Sequence, residues 1–179
     1  MRPVLFAALA SVCFAAVESP VSLASLRAVE ASINDKVRSN INDPYDLLGT
    51  ARGTYLEGYG AVFTVEMNLV LISPLNLTPF KPTLTDAEIA AMRDRKMRKV
   101  DALKDTMRSL MLGAGKTLTG LPANERIVME AFLFNYRWES TRDLPKRVVL
   151  TTTRQQMLDA ATKKFSPADF AKLFEDQEL

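Results

Sequence analysis

The feature that most limits the folds open to this chain is a long helix signature with a period-two segment on either side of it. Thr85-Asp86-Ala87-Glu88 spells a capping box, with Thr85 as the cap and Glu88 reaching back to it. Leu84 and Ile89 flank the box as a hydrophobic staple. Ile89, Met92, Val100, Leu103, Met107 and Leu110 then recur at helical spacing, so one apolar face runs to about Leu112 and needs another element to cover it. Gly113 and Gly115 are expected to end this helix through a left-handed cap, with Lys116 near the negative end of its dipole.

Upstream, alternate residues from Tyr59 to Leu71 are Tyr, Ala, Phe, Val, Met, Leu and Leu, against a second set containing Thr64, Glu66 and Asn68. That alternation predicts a strand with one buried face. The Gly-containing stretch 49–56 predicts a shorter strand, paired with it through a turn at Glu57-Gly58. Downstream, residues 126–138 are apolar on both alternating sets, which predicts a strand inside the sheet. Phe132, Phe134, Tyr136 and Trp138 share one side of it and are expected to lie under the long helix; a binding surface is the alternative. Residues 147–153, rich in Val and Thr, predict its partner strand.

Leu26, Val29, Ile33, Val37 and Ile41 predict a first helix over 25–41, stopped at Asn42-Asp43-Pro44. Pro74, Pro79 and Pro82 predict an extended connector over 73–82. A helix is expected over 155–164, and a last one from Ser166, with Pro167 in its first turn. The order is that of an α+β domain: an antiparallel sheet of about four strands in two hairpins, packed against a long central helix, with N- and C-terminal helices. No residue-level repeat links the two halves.

The first residues have the layout of a secretory signal peptide. Arg2 is a short positive start, Val4–Val17 carries no charge, and Glu18, Ser19 and Pro20 break the run. Ser22-Leu23-Ala24 places small residues where a signal peptidase needs them, so removal of residues 1–24 is expected; a cut after Ala15 is the alternative. The chain would then be exported, to the periplasm or outside the cell, as one domain over 25–179. Cys13 is the sole cysteine, so that domain would hold no disulfide.

The chain has no histidine. Ser-His-Asp and Cys-His catalysis and the usual zinc sites are therefore closed to it, and no catalytic set, metal or other cofactor is expected. A net charge of +2 does not point to nucleic acid. Gly113–Thr117 reads GAGKT, the end of many phosphate-binding loops, but the loop's first glycine would fall at Leu110, and a helix rather than a strand precedes it. No nucleotide site is expected there.

Three constellations remain. Arg52, Tyr55, Glu57 and Tyr59 surround Gly58 and Gly60 on the Tyr55–Phe63 hairpin, where a small ligand could approach the backbone. Arg95, Arg98 and Lys99, with Arg93, Lys96, Lys104 and Arg108, make the long helix basic, although Asp94, Asp101 and Asp105 interleave. That face would meet an anionic membrane surface or an acidic partner, or else pair with its own carboxylates. Glu66 and Glu130 lie mid-strand; if their strands pair, two carboxylates on one face could do acid–base work. The leading expectation is an exported, non-enzymatic protein acting by contact with a protein partner in the cell envelope. The alternatives are ligand binding at the hairpin and a carboxylate hydrolase using Glu66 and Glu130.

Overall fold

Leu26, Val29, Ile33 and Val37 turn one side of the first helix, α1 (Leu23–Arg38), into the core, as their spacing predicts. The computed structural model describes residues 19–39, 44–71 and 84–179. The Val4–Val17 run and the proline-containing connector fall outside them. The described fold reaches further toward the N-terminus than the expected start at Ser25. Ser22 is the N-cap of α1, and Val21 is buried in the core.

The α+β class is as expected, and the sheet is larger. Its strands are β1 (Asp46–Leu47), β2 (Arg52–Leu56), β3 (Gly60–Asn68), β4 (Arg126–Leu133), β5 (Arg147–Thr153) and β6 (Glu175–Glu178). They run in the order β1-β3-β4-β5-β6, and β2 also pairs with β3. The β2–β3 hairpin forms around Glu57-Gly58, with Gly58 at φ 75°, a conformation that costs glycine little. β3 and β4 are parallel, from Gly60 opposite Arg126 to Met67 opposite Leu133. Both expected hairpins form, β2–β3 and β4–β5, and the parallel β3–β4 pair joins them into a mixed, mostly antiparallel sheet. The reason is α2 (Asp86–Thr117), a 32-residue helix that carries the chain back to the end of the sheet from which β3 began.

Thr85 and Glu88 form both halves of the expected capping box of α2. Val100, Leu103, Met107, Leu110 and Met111 bury its inner face. The helix runs on through Thr117, and neither Gly113 nor Gly115 is left-handed. Gly115 instead admits α3 (Arg154–Thr162): a Cβ there would stand 2.5 Å from the Met157 Cβ. α4 (Pro167–Ala171) has the expected Ser166 cap and Pro167 start, but it lasts one turn, and the chain then pairs with β5 as β6. All four β6 residues are exposed and none is apolar, so no strand signal marks them. Lys104 and Arg108 of α2 hold Asp176, and Lys104 also holds Glu178.

Ala61, Phe63, Val65 and Met67 of β3, Ile127, Met129, Ala131 and Leu133 of β4, and Val148 and Leu150 of β5 are buried. α1 and α2 cover this face. β4 ends at Leu133, so the aromatic row runs past the strand. Phe134 meets Tyr136 edge-on, at 5.0 Å between ring centres, and Tyr136 stacks on Trp138 at 5.5 Å. Phe132 and Phe134 are exposed, so the row is not core under the helix as expected.

Candidate functional site: the uncovered face of the sheet

The residues between the buried ones face away from the helices. The register aligns Thr54, Val62, Val128 and Thr151 in one row, and Arg52, Thr64, Glu130 and Val149 in the next. Glu66, Phe132 and Arg147 form a third. Gly49, Thr50, Arg52, Thr64, Glu66 and Phe132 line a shallow cavity of about 290 Å3 there. This face joins residues that the sequence reading kept apart: Arg52 from the ligand candidates, and Glu66 and Glu130 from the catalytic ones.

Glu66 and Glu130 do share a face, but they make no carboxylate dyad. The residue beside Glu66 on β4 is Phe132. The Glu130 carboxylate takes an ion pair from Arg147, 3.2 Å away, and the Arg147 guanidinium also lies 5.9 Å from the Phe132 ring centre. A shared-proton pair needs two carboxylates pressed together without a cation between them. Arg147 supplies the cation that the Glu130 side would have to lack.

The hairpin candidates separate. Arg52 and Tyr55 project to opposite faces of β2 because they stand an odd number of positions apart, three, along a period-two strand. The Tyr55 hydroxyl donates to Glu125 Oε1 at 3.3 Å, and the Gly58 N–H donates to the same oxygen at 3.2 Å. Burial raises the Tyr55 phenol above its ordinary value, and the bond to Glu125, the charge of Glu125 and that of Glu57 raise it further. Glu57 and Tyr59 are exposed in the turn, and Arg126 lies 5.3 Å from the Tyr59 ring centre. Of the four, only Tyr55 joins the latch that Glu125 makes with the turn, while Arg52 faces outward and Glu57 and Tyr59 lie exposed, so the four do not form one ligand site. Glu125, the centre of the latch, had no signal in the sequence, since Tyr55 is 70 residues away from it.

The basic helix face is largely tied to the rest of the fold. Lys99 is buried, which corrects its assignment to the surface: its Nζ donates to Pro44 O at 3.0 Å and lies 4.7 Å from the Tyr45 ring centre. Lys96 is buried against Glu139 and Asn135. Arg93 pairs with Asp143 at 2.8 Å and donates to the Arg142 carbonyl. Arg95 and Arg98 are exposed. Gly113–Thr117 is the last turn of α2, and the Thr117 hydroxyl donates to Gly113 O at 3.1 Å, so this segment is helix and not a phosphate loop.

A second concavity, about 470 Å3, lies between α2 and the α3–α4 region, over Leu112, Ala160, Phe165 and Phe170 with Arg108 and Lys163 beside them. Among the described residues no group of three or more His, Cys, Asp or Glu side chains is placed to hold a metal, and no helix is long and apolar enough to cross a membrane. No family model matches this chain, and no curated protein or solved structure matches it either.

Proposed function

We propose that this is an exported, non-enzymatic protein that docks a protein partner on the uncovered face of its sheet. One observation carries the reading: Leu56 is 49% exposed and Phe132 38% on a face that water would be expected to meet with polar side chains. Phe134 continues the apolar row, and the strand cations on this face are Arg52, Arg126 and Arg147 rather than lysines. Exposed apolar area mixed with aromatics and arginine is the composition of protein interfaces. The N-terminal apolar run after Arg2 supports export, and the absence of histidine supports a role without hydrolytic chemistry.

The test is site-specific photocrosslinking in the native host, with the reactive residue placed at Phe132 or, as a control on the helical side, at Arg98. One recurrent protein captured from position 132, and lost on Leu56→Ser without loss of folding, is the expected result. Equal capture from both positions, or none from 132, overturns the reading and leaves small-ligand binding in the α2–α4 groove as the next function to test.

A further inference from the structure

The first described residues bear on where a leader can be cut. Val21 is 3% exposed and belongs to the same core as Leu26, Val29 and Leu121. Ser22 caps α1 twice over: its hydroxyl accepts from Ser25 N at 3.1 Å, and its carbonyl accepts from Leu26 N at 3.2 Å and from the Ser25 hydroxyl at 2.7 Å. The Ser19 hydroxyl donates to Val21 O at 3.0 Å, fixing the approach to the cap. Across the segment lies Gly120, where a Cβ would fall 1.8 Å from Pro20 O, so the two backbones pass in direct contact. Cutting after Ala24 would sever α1 inside its first turn. It would also strip the cap, the buried valine and the strand of chain that Gly120 accommodates.

We infer that, if the leader is removed, the bond cut is Ala15–Ala16 rather than Ala24–Ser25, and that Ser19–Ser22 stays with the mature protein as the start of its folded core. This cut presupposes the export reading above. The sequence supplies what a signal peptidase needs there: Ala15 before the bond and Cys13 two residues earlier are both small, and the apolar run precedes them. In the reaction water adds across the Ala15–Ala16 amide; Ala15 leaves as a carboxylate on the released leader, and Ala16 becomes the free amino terminus. The lone cysteine departs with the leader in either case.

Expression of the full chain in a host with a general secretory pathway, followed by intact mass and N-terminal sequencing, reads the cut directly. An N-terminus at Ala16 is expected. A processed chain beginning at Ser25 overturns the inference while leaving export standing; a chain still beginning at Met1 after release from the cytoplasm overturns both. A second measurement tests the packing itself. The chain starting at Ala16 should melt about 5 to 15 °C above one starting at Ser25, the loss expected for one buried valine and one helix cap. Gly120→Ala should lower the melting temperature of the longer chain and leave the shorter one nearly unchanged. Equal melting temperatures for the two starts, or an equal effect of Gly120→Ala in both, would show that Ser19–Ser22 contributes nothing to the core.

Discussion

Lys96 and Glu139 form an ion pair between the middle of α2 and the segment after β4, with neither side chain more than 3% exposed. The Lys96 ammonium also donates to Asn135 Oδ1 at 2.9 Å and to Phe134 O at 3.3 Å, while Glu139 Oε1 is buried without a partner. Burial pulls the Lys96 pKa below its ordinary value, and the bond and charge of Glu139 only partly restore it. The pair thus costs desolvation and fixes geometry, holding the segment that carries Tyr136 and Trp138 against α2.

Removing one partner should therefore hurt more than removing both. Glu139→Ala leaves a buried ammonium uncompensated and should cost about 3 kcal/mol or more in urea unfolding. The double replacement Lys96→Met with Glu139→Leu should be close to neutral or stabilising, because both desolvation penalties disappear together. A loss in the double variant as large as that of Glu139→Ala alone would show that the pair stabilises the fold outright.

The two glycines of the GAGKT segment should respond in opposite directions. Nothing lies within 4 Å of a Cβ built on Gly113, which is helical, so Gly113→Ala should stabilise by about 0.5 to 1 kcal/mol. A Cβ on Gly115 meets the Met157 Cβ near its backbone, and Arg154 Nε donates to Gly115 O at 3.2 Å, so α3 has little room to retreat. Gly115→Ala should cost about 1 to 3 kcal/mol. Equal effects at both sites in chemical denaturation would deny the close α2–α3 contact.

Acid should loosen the start of α2 first. The Glu88 carboxyl lies below its ordinary value of 4.5, held there by the Thr85 backbone N–H and then by the Thr85 hydroxyl. A carboxyl lowered on folding stabilises above its unfolded value, and the contribution is lost as pH falls through the folded one. A carbon-13 NMR titration should place the Glu88 midpoint below 4.5, with fraying of the first helical turn as it protonates. Thr85→Ala should move the midpoint upward. A midpoint at or above the ordinary value in the unsubstituted protein would contradict the capping geometry.

The candidate site was legible only in pieces. Arg52, Glu66 and Glu130 stand out as polar residues in apolar strands, but their common face depends on the parallel pairing of β3 with β4. That pairing follows from where α2 returns the chain, and no local pattern encodes it. The ligand grouping at the hairpin failed for a simpler reason: nearness in sequence is not nearness in space on a strand, where Arg52 and Tyr55 face opposite ways.

The sequence by itself determined the elements whose causes are local. The capping box of α2, the apolar stripe of α1 and the glycine turn between β2 and β3 each depend on residues a few positions apart, so periodicity and side-chain chemistry suffice to read them. Only the tertiary structure decided the fate of the charges. Lys96 finds Glu139 43 residues away, and Lys104 finds Glu178 74 residues away, which together turn a basic stripe into internal clamps and give the polar C-terminus its place as β6. A charge is placed by the partner that compensates its desolvation, and that partner is chosen by the folding of the whole chain.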